Sequence, residues 1–236
     1  MGPGKPSIAD PAAVSTRYRS AMRTLILCPT QFEAAHLRSV AKTHSAGLHV
    51  IGLGTACEQS IRSLAVQSPS PCRVILAGTA GALGSHAQLG HAFIAERVVD
   101  EFGVVHGSKL THELPHLPLC CSKEVVASHS ARVELAARTG AAMVDMESGP
   151  FVRVAIEMGW HWCVLRGISD DATTEIPAEV IRWVHPDGRT NHFRFAVDMV
   201  RKPSRLPAVV TMVRNANAAM RSVATKLNTL VQRMPS

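Results

Sequence analysis

Hydrophobic positions fall along this chain in short apolar runs separated by segments of helical spacing. Thr24-Leu25-Ile26-Leu27-Cys28 is apolar at nearly every position, which suits a strand covered on both faces. Residues 31–42 follow with helical spacing, and Phe32, Ala35 and Val40 are predicted to share a face. Leu48-His49-Val50-Ile51-Gly52 predicts a second strand and residues 55–66 a second helix. Arg73-Val74-Ile75-Leu76-Ala77 predicts a third strand that ends in Gly78-Thr79-Ala80-Gly81, and residues 93–99 a fourth. Residues 103–122, with two prolines and several histidines, read as a long loop. Helical pattern returns at 129–139 and 147–158, and extended pattern at 142–146 and 162–168. This alternation predicts an α/β protein: a three-layer α/β/α sandwich with helices on both faces of a central mixed sheet. No internal repeat is present.

The clearest helix is the last, predicted over about 207–231. Val209, Val213, Ala216, Met220, Val223, Leu227 and Leu230 are spaced by alternating fours and threes, which aligns them in one stripe. Arg214, Arg221 and Lys226 fall off it. Such a helix packs on its own domain, meets a second subunit, or lies on a membrane surface. Residues 1–22, rich in Pro, Gly and Ala, read as a flexible extension. Residues 23–236 are then a single domain.

Composition narrows the class. The 236 residues are 46 % hydrophobic and 18 % charged, a globular balance that excludes a disordered or low-complexity chain. No apolar run approaches the roughly 18 residues of a membrane span. MGPGKPSIAD has no signal-peptide core, and the six cysteines have no framework spacing. Together these predict a cytoplasmic protein with reduced thiols. The net charge of +7 sits at the ends: residues 201–236 carry seven basic side chains and no acid. Residues 1–22 add +2, so the body is at −2. A nucleic-acid surface is not predicted, because basic clusters interleaved with aromatics are missing from the body. The basic tail is either a solvated face or a contact for an anionic membrane surface.

In open α/β sheets, ligands bind beyond the carboxyl ends of the strands. Four polar features fall there: Glu33 after the first strand, Gly78-Thr79-Ala80-Gly81 after the third, Asp145-Met146-Glu147-Ser148 where a strand enters a helix, and Arg166-Gly167-Ile168-Ser169-Asp170-Asp171 at a buried strand's end. Each alone reads equally as a turn or a helix cap. Their convergence on one sheet edge predicts a site.

These residues resemble the nucleoside phosphorylase and nucleosidase superfamily. The resemblance rests on Val144-Asp145-Met146-Glu147-Ser148 followed by Arg166-Gly167-Ile168-Ser169-Asp170, on Ala77-Gly78-Thr79-Ala80-Gly81-Ala82-Leu83, and on the Gly52-Leu53-Gly54 turn. It covers roughly residues 23–175. A narrower similarity, to hopanoid-biosynthesis-associated phosphorylases, rests on compact length, the Asp187-Gly188-Arg189 turn and Arg201-Lys202-Pro203-Ser204-Arg205-Leu206-Pro207. The superfamily implies cleavage of the N-ribosyl bond of a purine nucleoside or adenosyl compound. Cleavage leaves positive charge on the ribose and negative charge on the departing base. By the resemblance, Asp170 is the general acid for the base, its proton either held by burial and the neighbouring Asp171 charge or gained through solvent as the base leaves, and Ser169 stands beside it. Glu147 binds the ribose hydroxyls, and Met146 packs on the sugar. The backbone of Gly78, Thr79, Ala80 and Gly81 lets the ligand approach, and Val125 and Val126 line the base. Family nucleosidases have an aromatic where this chain has Val125-Val126, so base stacking differs here.

The nucleophile divides the family. Phosphorylases place arginines in the first loop and the third strand, where this chain has Cys28-Pro29-Thr30-Gln31-Phe32-Glu33 and Val74-Ile75-Leu76-Ala77. Without arginine there, charge-assisted contacts to phosphate are missing, unless Arg38 or Arg62 supplies them. Glu33 matches the nucleosidase residue that orients water, so hydrolysis is favoured over phosphorolysis. No metal or redox cofactor is implied, with phosphate the alternative co-substrate. The resemblance also implies a homo-oligomer.

Other readings compete. His106, His112, His116, Cys120 and Cys121 are zinc-ligand types, but Pro115 and Pro118 interrupt their spacing. Gly52-x-Gly54 lacks the third glycine of a dinucleotide fingerprint, with Cys57 in its place. No Gly-x-Ser-x-Gly elbow is present. A non-catalytic nucleoside-binding module would keep the fold without the acid, and a lipid-linked adenosyl substrate would suit the narrower resemblance.

Overall fold

The computed structural model describes residues 23–67, 73–108, 114–176 and 183–233. The predicted extension over 1–22 and His112 lie outside them. The elements are β1 (Thr24–Cys28), α1 (Gln31–Thr43), β2 (Gly47–Val50), α2 (Thr55–Gln67), β3 (Arg73–Ala82), β4 (Ala92–Val99), β5 (Val105–Gly107) and β6 (His116–Cys121). They continue with α3 (His129–Thr139), β7 (Met143–Asp145), α4 (Ser148–Glu157), β8 (His161–Asp170), α5 (His192–Arg201), a 3-10 turn (Pro203–Arg205) and α6 (Leu206–Arg233).

The eight strands form one mixed sheet in the order β2-β1-β3-β7-β6-β4-β5, with β8 pairing β3 in parallel and β4 antiparallel. The ring β3-β7-β6-β4-β8 closes on itself, so the sandwich has a sheet curled into a small barrel at one end. Strand alternation sends residues to two cores. Leu25, Leu27, Val74, Leu76, Trp162 and Val164 face one, with Ile61 of α2 and Phe151 of α4. Ile26, Ile75, Cys163 and Leu165 face the other, with Leu37 of α1 and Met220, Val223, Leu227 and Leu230 of α6. A third cluster, with Leu83, Val99, Cys120 and Leu135, lies under α3. The expected architecture is therefore present, helices covering both faces.

Four details differ from the sequence reading. The buried face of α1 is Ala34, Leu37 and Ala41, and Ala35 is exposed. Gly78-Thr79-Ala80-Gly81 lies inside β3, which runs to Ala82. The predicted loop 103–122 contains β5 and β6. β6 was hidden by Pro118, which has no N–H to give the ladder; the β4–β6 register shifts there, between Ala95 and Val98. The segment 192–201, without a predicted element, is α5.

The C-terminal stripe is used mainly by its own domain. Met220, Val223, Leu227 and Leu230 are fully buried, whereas Val213 is half exposed. Asn217 meets His36 Nε2 at 3.0 Å and Asn228 meets His44 Nε2 at 2.8 Å. At this register the start of α6, about residues 206–211, reaches past the start of α1, at the end of the sheet where β1 ends. Among the described residues, no helix is long and apolar enough to cross a membrane.

Candidate active site

A cavity of about 220 Å³ opens at this end of the sheet. β3 contributes Thr79, Ala80 and Gly81. The segment before α3 contributes Val125 and Val126, the β7–α4 junction Met146 and Glu147, and the end of β8 Ser169 and Asp170. Nine of the eleven predicted site residues therefore line one space. Glu33 and Gly78 lie behind it.

Glu33 is a helix-start residue that is buried, 3 % exposed. Its Oε2 closes a capping box, accepting from Thr30 N–H at 2.9 Å and Thr30 Oγ1 at 2.8 Å. Its Oε1 accepts from Thr79 N–H at 2.7 Å and Thr79 Oγ1 at 3.0 Å. Four donors hold this carboxylate, and Thr79 stands between it and the cavity.

Arg166, completely buried, is the cation at the centre. Its Nε and Nη2 reach Asp145 Oδ2 at 2.8 and 2.6 Å, and Nη2 lies 3.5 Å from Glu147 Oε2. Asp145 Oδ1 accepts from Ser148 N–H and Oγ, so the start of α4 is fixed to the same group. Glu147 Oε1 accepts from Gly54 N–H at 3.3 Å, in the Gly52-Leu53-Gly54 turn, where both glycines have positive φ. One guanidinium thus faces three carboxylates, and negative charge is left over. Burial pushes the Glu147 carboxyl up to about 8; Arg166 opposes this, and Asp145 and Glu33 add to it.

The glycines at Gly78 and Gly81 also make room inside the site. A Cβ on Gly78 would fall 2.5 Å from Arg166 Nη1 and 2.6 Å from Glu33 Oε1. One on Gly81 would fall 2.7 Å from Asp170 Oδ2 and 3.1 Å from Arg132 Nη1. The missing side chains make room for the polar groups of the site itself.

Asp170 Oδ2 pairs with Arg132 Nη2 at 2.5 Å, and Asp170 Oδ1 accepts from Ser169 Oγ at 2.8 Å. The charged neighbour of Asp170 is this arginine and not Asp171. Asp171 turns away, accepting from Thr173 N–H, Thr173 Oγ1 and Thr174 Oγ1. Those hydrogen bonds, led by that of the Thr173 hydroxyl, hold its carboxyl below the usual range.

Sequence reasoning missed Arg132 and Ile176 in the lining. Arg132 stands in an ordinary polar stretch of α3 and had no signal. Asp145 and Arg166 were inside quoted motifs, and their opposite charges were the available clue. The Asp187-Gly188-Arg189 turn packs over the neighbouring loops: Gln31 N–H donates to Gly188 O at 3.0 Å and Leu53 N–H to Pro186 O at 2.9 Å. Arg62 is held outside α2 by Glu58 and Glu157, and Arg38 lines a separate groove beside β2; neither lines the cavity. His106 pairs with Asp100 at 3.1 Å. Among the described residues, no group of three or more His, Cys, Asp or Glu could hold a metal ion.

The fold is similar to that of solved nucleosidase structures. The model of the phosphorylase superfamily matches residues 106–201. Among solved structures, the chain is similar to a mutant of futalosine hydrolase from Helicobacter pylori at 12 % identity and a TM-score of 0.66, over 90 % of this chain and 100 % of that one. The 5′-methylthioadenosine/S-adenosylhomocysteine nucleosidase of the same organism matches at 14 % identity and a TM-score of 0.66, over 90 % and 99 %. The corresponding nucleosidase of S. pneumoniae matches at 16 % and 0.63, over 89 % and 99 %. No curated protein sequence matches this chain significantly.

Proposed function

We propose that this chain hydrolyses the N-ribosyl bond of a purine nucleoside or related adenosyl compound. The observation that carries the reading is the surplus of carboxylate around Arg166 beside the cavity. A buried negative surplus is costly in the empty site and favours the cationic sugar that forms as the bond breaks. The C1′–N9 electron pair leaves with the base, and Asp170, paired with Arg132, passes a proton taken from solvent to base N7. Water adds to C1′, donating to Thr79 Oγ1, whose hydroxyl passes its own proton to Glu33 Oε1 over 3.0 Å. Glu147 receives the ribose hydroxyls, Met146 the sugar face, and Val125, Val126 and Ala80 the base. The same surplus disfavours phosphate as nucleophile, since both lining or adjoining cations, Arg132 and Arg166, are already paired with carboxylates.

Free-base release from adenosine, inosine, methylthioadenosine and adenosylhomocysteine, with and without phosphate, tests this. Release without phosphate is expected. Release only with phosphate would assign phosphorolysis and remove Glu33 from the mechanism.

A second reading, an adenosyl substrate on a lipid, is favoured by one observation. Leu206, Val210 and Val213 are about half exposed on α6, the first two on the part that overhangs the site's end of the sheet, in a segment without acids. Sedimentation with anionic vesicles, lost in Val210→Asp, would support it. A homo-oligomer is also proposed, with the exposed Phe102, Val104 and Val105 as contact surface; light scattering decides it.

A further inference from the structure

Arg132 is a buried arginine that the reaction above does not use. It is 1 % exposed, and it comes from the second turn of α3, a helix with Ser128 as its N-cap. Its Nε–H donates to Val126 O at 3.1 Å, and Nη1 donates to Ala82 O at 3.0 Å and Asp171 O at 2.9 Å. Its Nη2 lies 2.5 Å from Asp170 Oδ2. One side chain therefore joins the base-lining segment, the end of β3 and the end of β8. These are three separate walls of the same cavity.

A buried ion pair is weak evidence for stability, because an apolar pair of similar volume often serves the fold as well. The planar guanidinium fork, however, fixes direction as well as charge. Every donor it commits goes to a wall of the base end. Gly81 has no side chain, which leaves room for Asp170 and Arg132 to meet beside β3.

We infer that Arg132 is the positioning residue of the base-protonating carboxylate: it sets Asp170 and the Val125–Val126 segment in one fixed relation, so that the acid faces N7 of a base held by that segment. This inference rests on the hydrolytic reading of the site. It makes Arg132 act through Asp170 and not on the sugar.

The test uses Arg132→Gln, Arg132→Lys, Asp170→Asn and the double variant Arg132→Gln/Asp170→Asn in the full chain. Two substrates are compared: a purine nucleoside that the wild type cleaves, and 4-nitrophenyl riboside, whose phenolate leaves without a proton. Arg132→Gln is expected to lose about 100-fold in kcat for the purine nucleoside, with KM changed by no more than a few-fold. It keeps nitrophenyl release within a few-fold. Arg132→Lys recovers part of the purine activity, and the double variant is no slower than Asp170→Asn alone. Equal losses on both substrates, or losses that multiply in the double variant, would make Arg132 a purely structural residue and overturn the inference. If Arg132→Gln does not fold, Arg132→Lys against Asp170→Asn decides by the same comparison. A wild type that cleaves neither substrate overturns the hydrolytic reading itself, and this inference falls with it.

Discussion

Arg166 and Asp145 are locked together by two guanidinium nitrogens on one carboxylate oxygen, at 2.8 and 2.6 Å, with both side chains almost completely out of solvent. The pair joins β8 to the β7–α4 junction, and it leaves Arg166 Nη1 over Gly78 with no hydrogen-bond partner among the described residues. A methyl group at Gly78 must displace either Nη1 or the Glu33 carboxylate. Gly78→Ala should therefore cost about 1–3 kcal/mol of unfolding free energy and most of the turnover. Denaturant unfolding and base release on the same sample check it.

Glu147 gives a pH signature. Its carboxyl is raised to about 8, and in the proposed mechanism its ionised form is the one that supports a cationic sugar. In the free protein that form is lost as pH falls through 8. kcat/KM should then rise with pH below 8, by roughly tenfold per unit well below it. Glu147→Gln should remove this limb and cost about 100-fold at pH 8. The stability sign runs the other way. The folded state binds this proton more tightly than the unfolded chain, so stability falls as pH rises from about 4.5 towards 8. Glu147→Gln should narrow that fall, which thermal melts across this range would show.

The two halves of α6 should respond differently to truncation. Leu227 is completely buried with Ile75, Cys163 and Leu165, while Val210 is half exposed. Leu227→Ala should cost about 2–5 kcal/mol. Val210→Ser should stay within about 0.5 kcal/mol. Chemical denaturation of the two variants makes the comparison. A comparable loss at Val210 would mean that the overhanging turns are part of the core.

The legible parts of the sequence were those where one local signal decides. β1 and α3 match their predicted bounds because each is a clean apolar or helical segment, and nine site residues converge because strand ends bring them to one edge. β6 was not legible, since Pro118 and His116 conceal a strand whose ladder bonds come from distant β4 and β7. The extension of β3 through Gly78–Ala82 was hidden for a similar reason. Glycines that read as a turn are there because β8 and its arginine press against them. Arg132 is the extreme case. Its partners Ala82, Val126, Asp170 and Asp171 come from three separate stretches of the chain, and no local pattern announces that meeting.

The central claim is that Asp170 protonates the leaving base. The most direct measurement is single-turnover base release by Asp170→Asn beside the wild type, with ligand affinity measured by calorimetry. Release is expected to fall by about 100- to 10,000-fold while affinity stays within a few-fold. Release at the wild-type rate would contradict it.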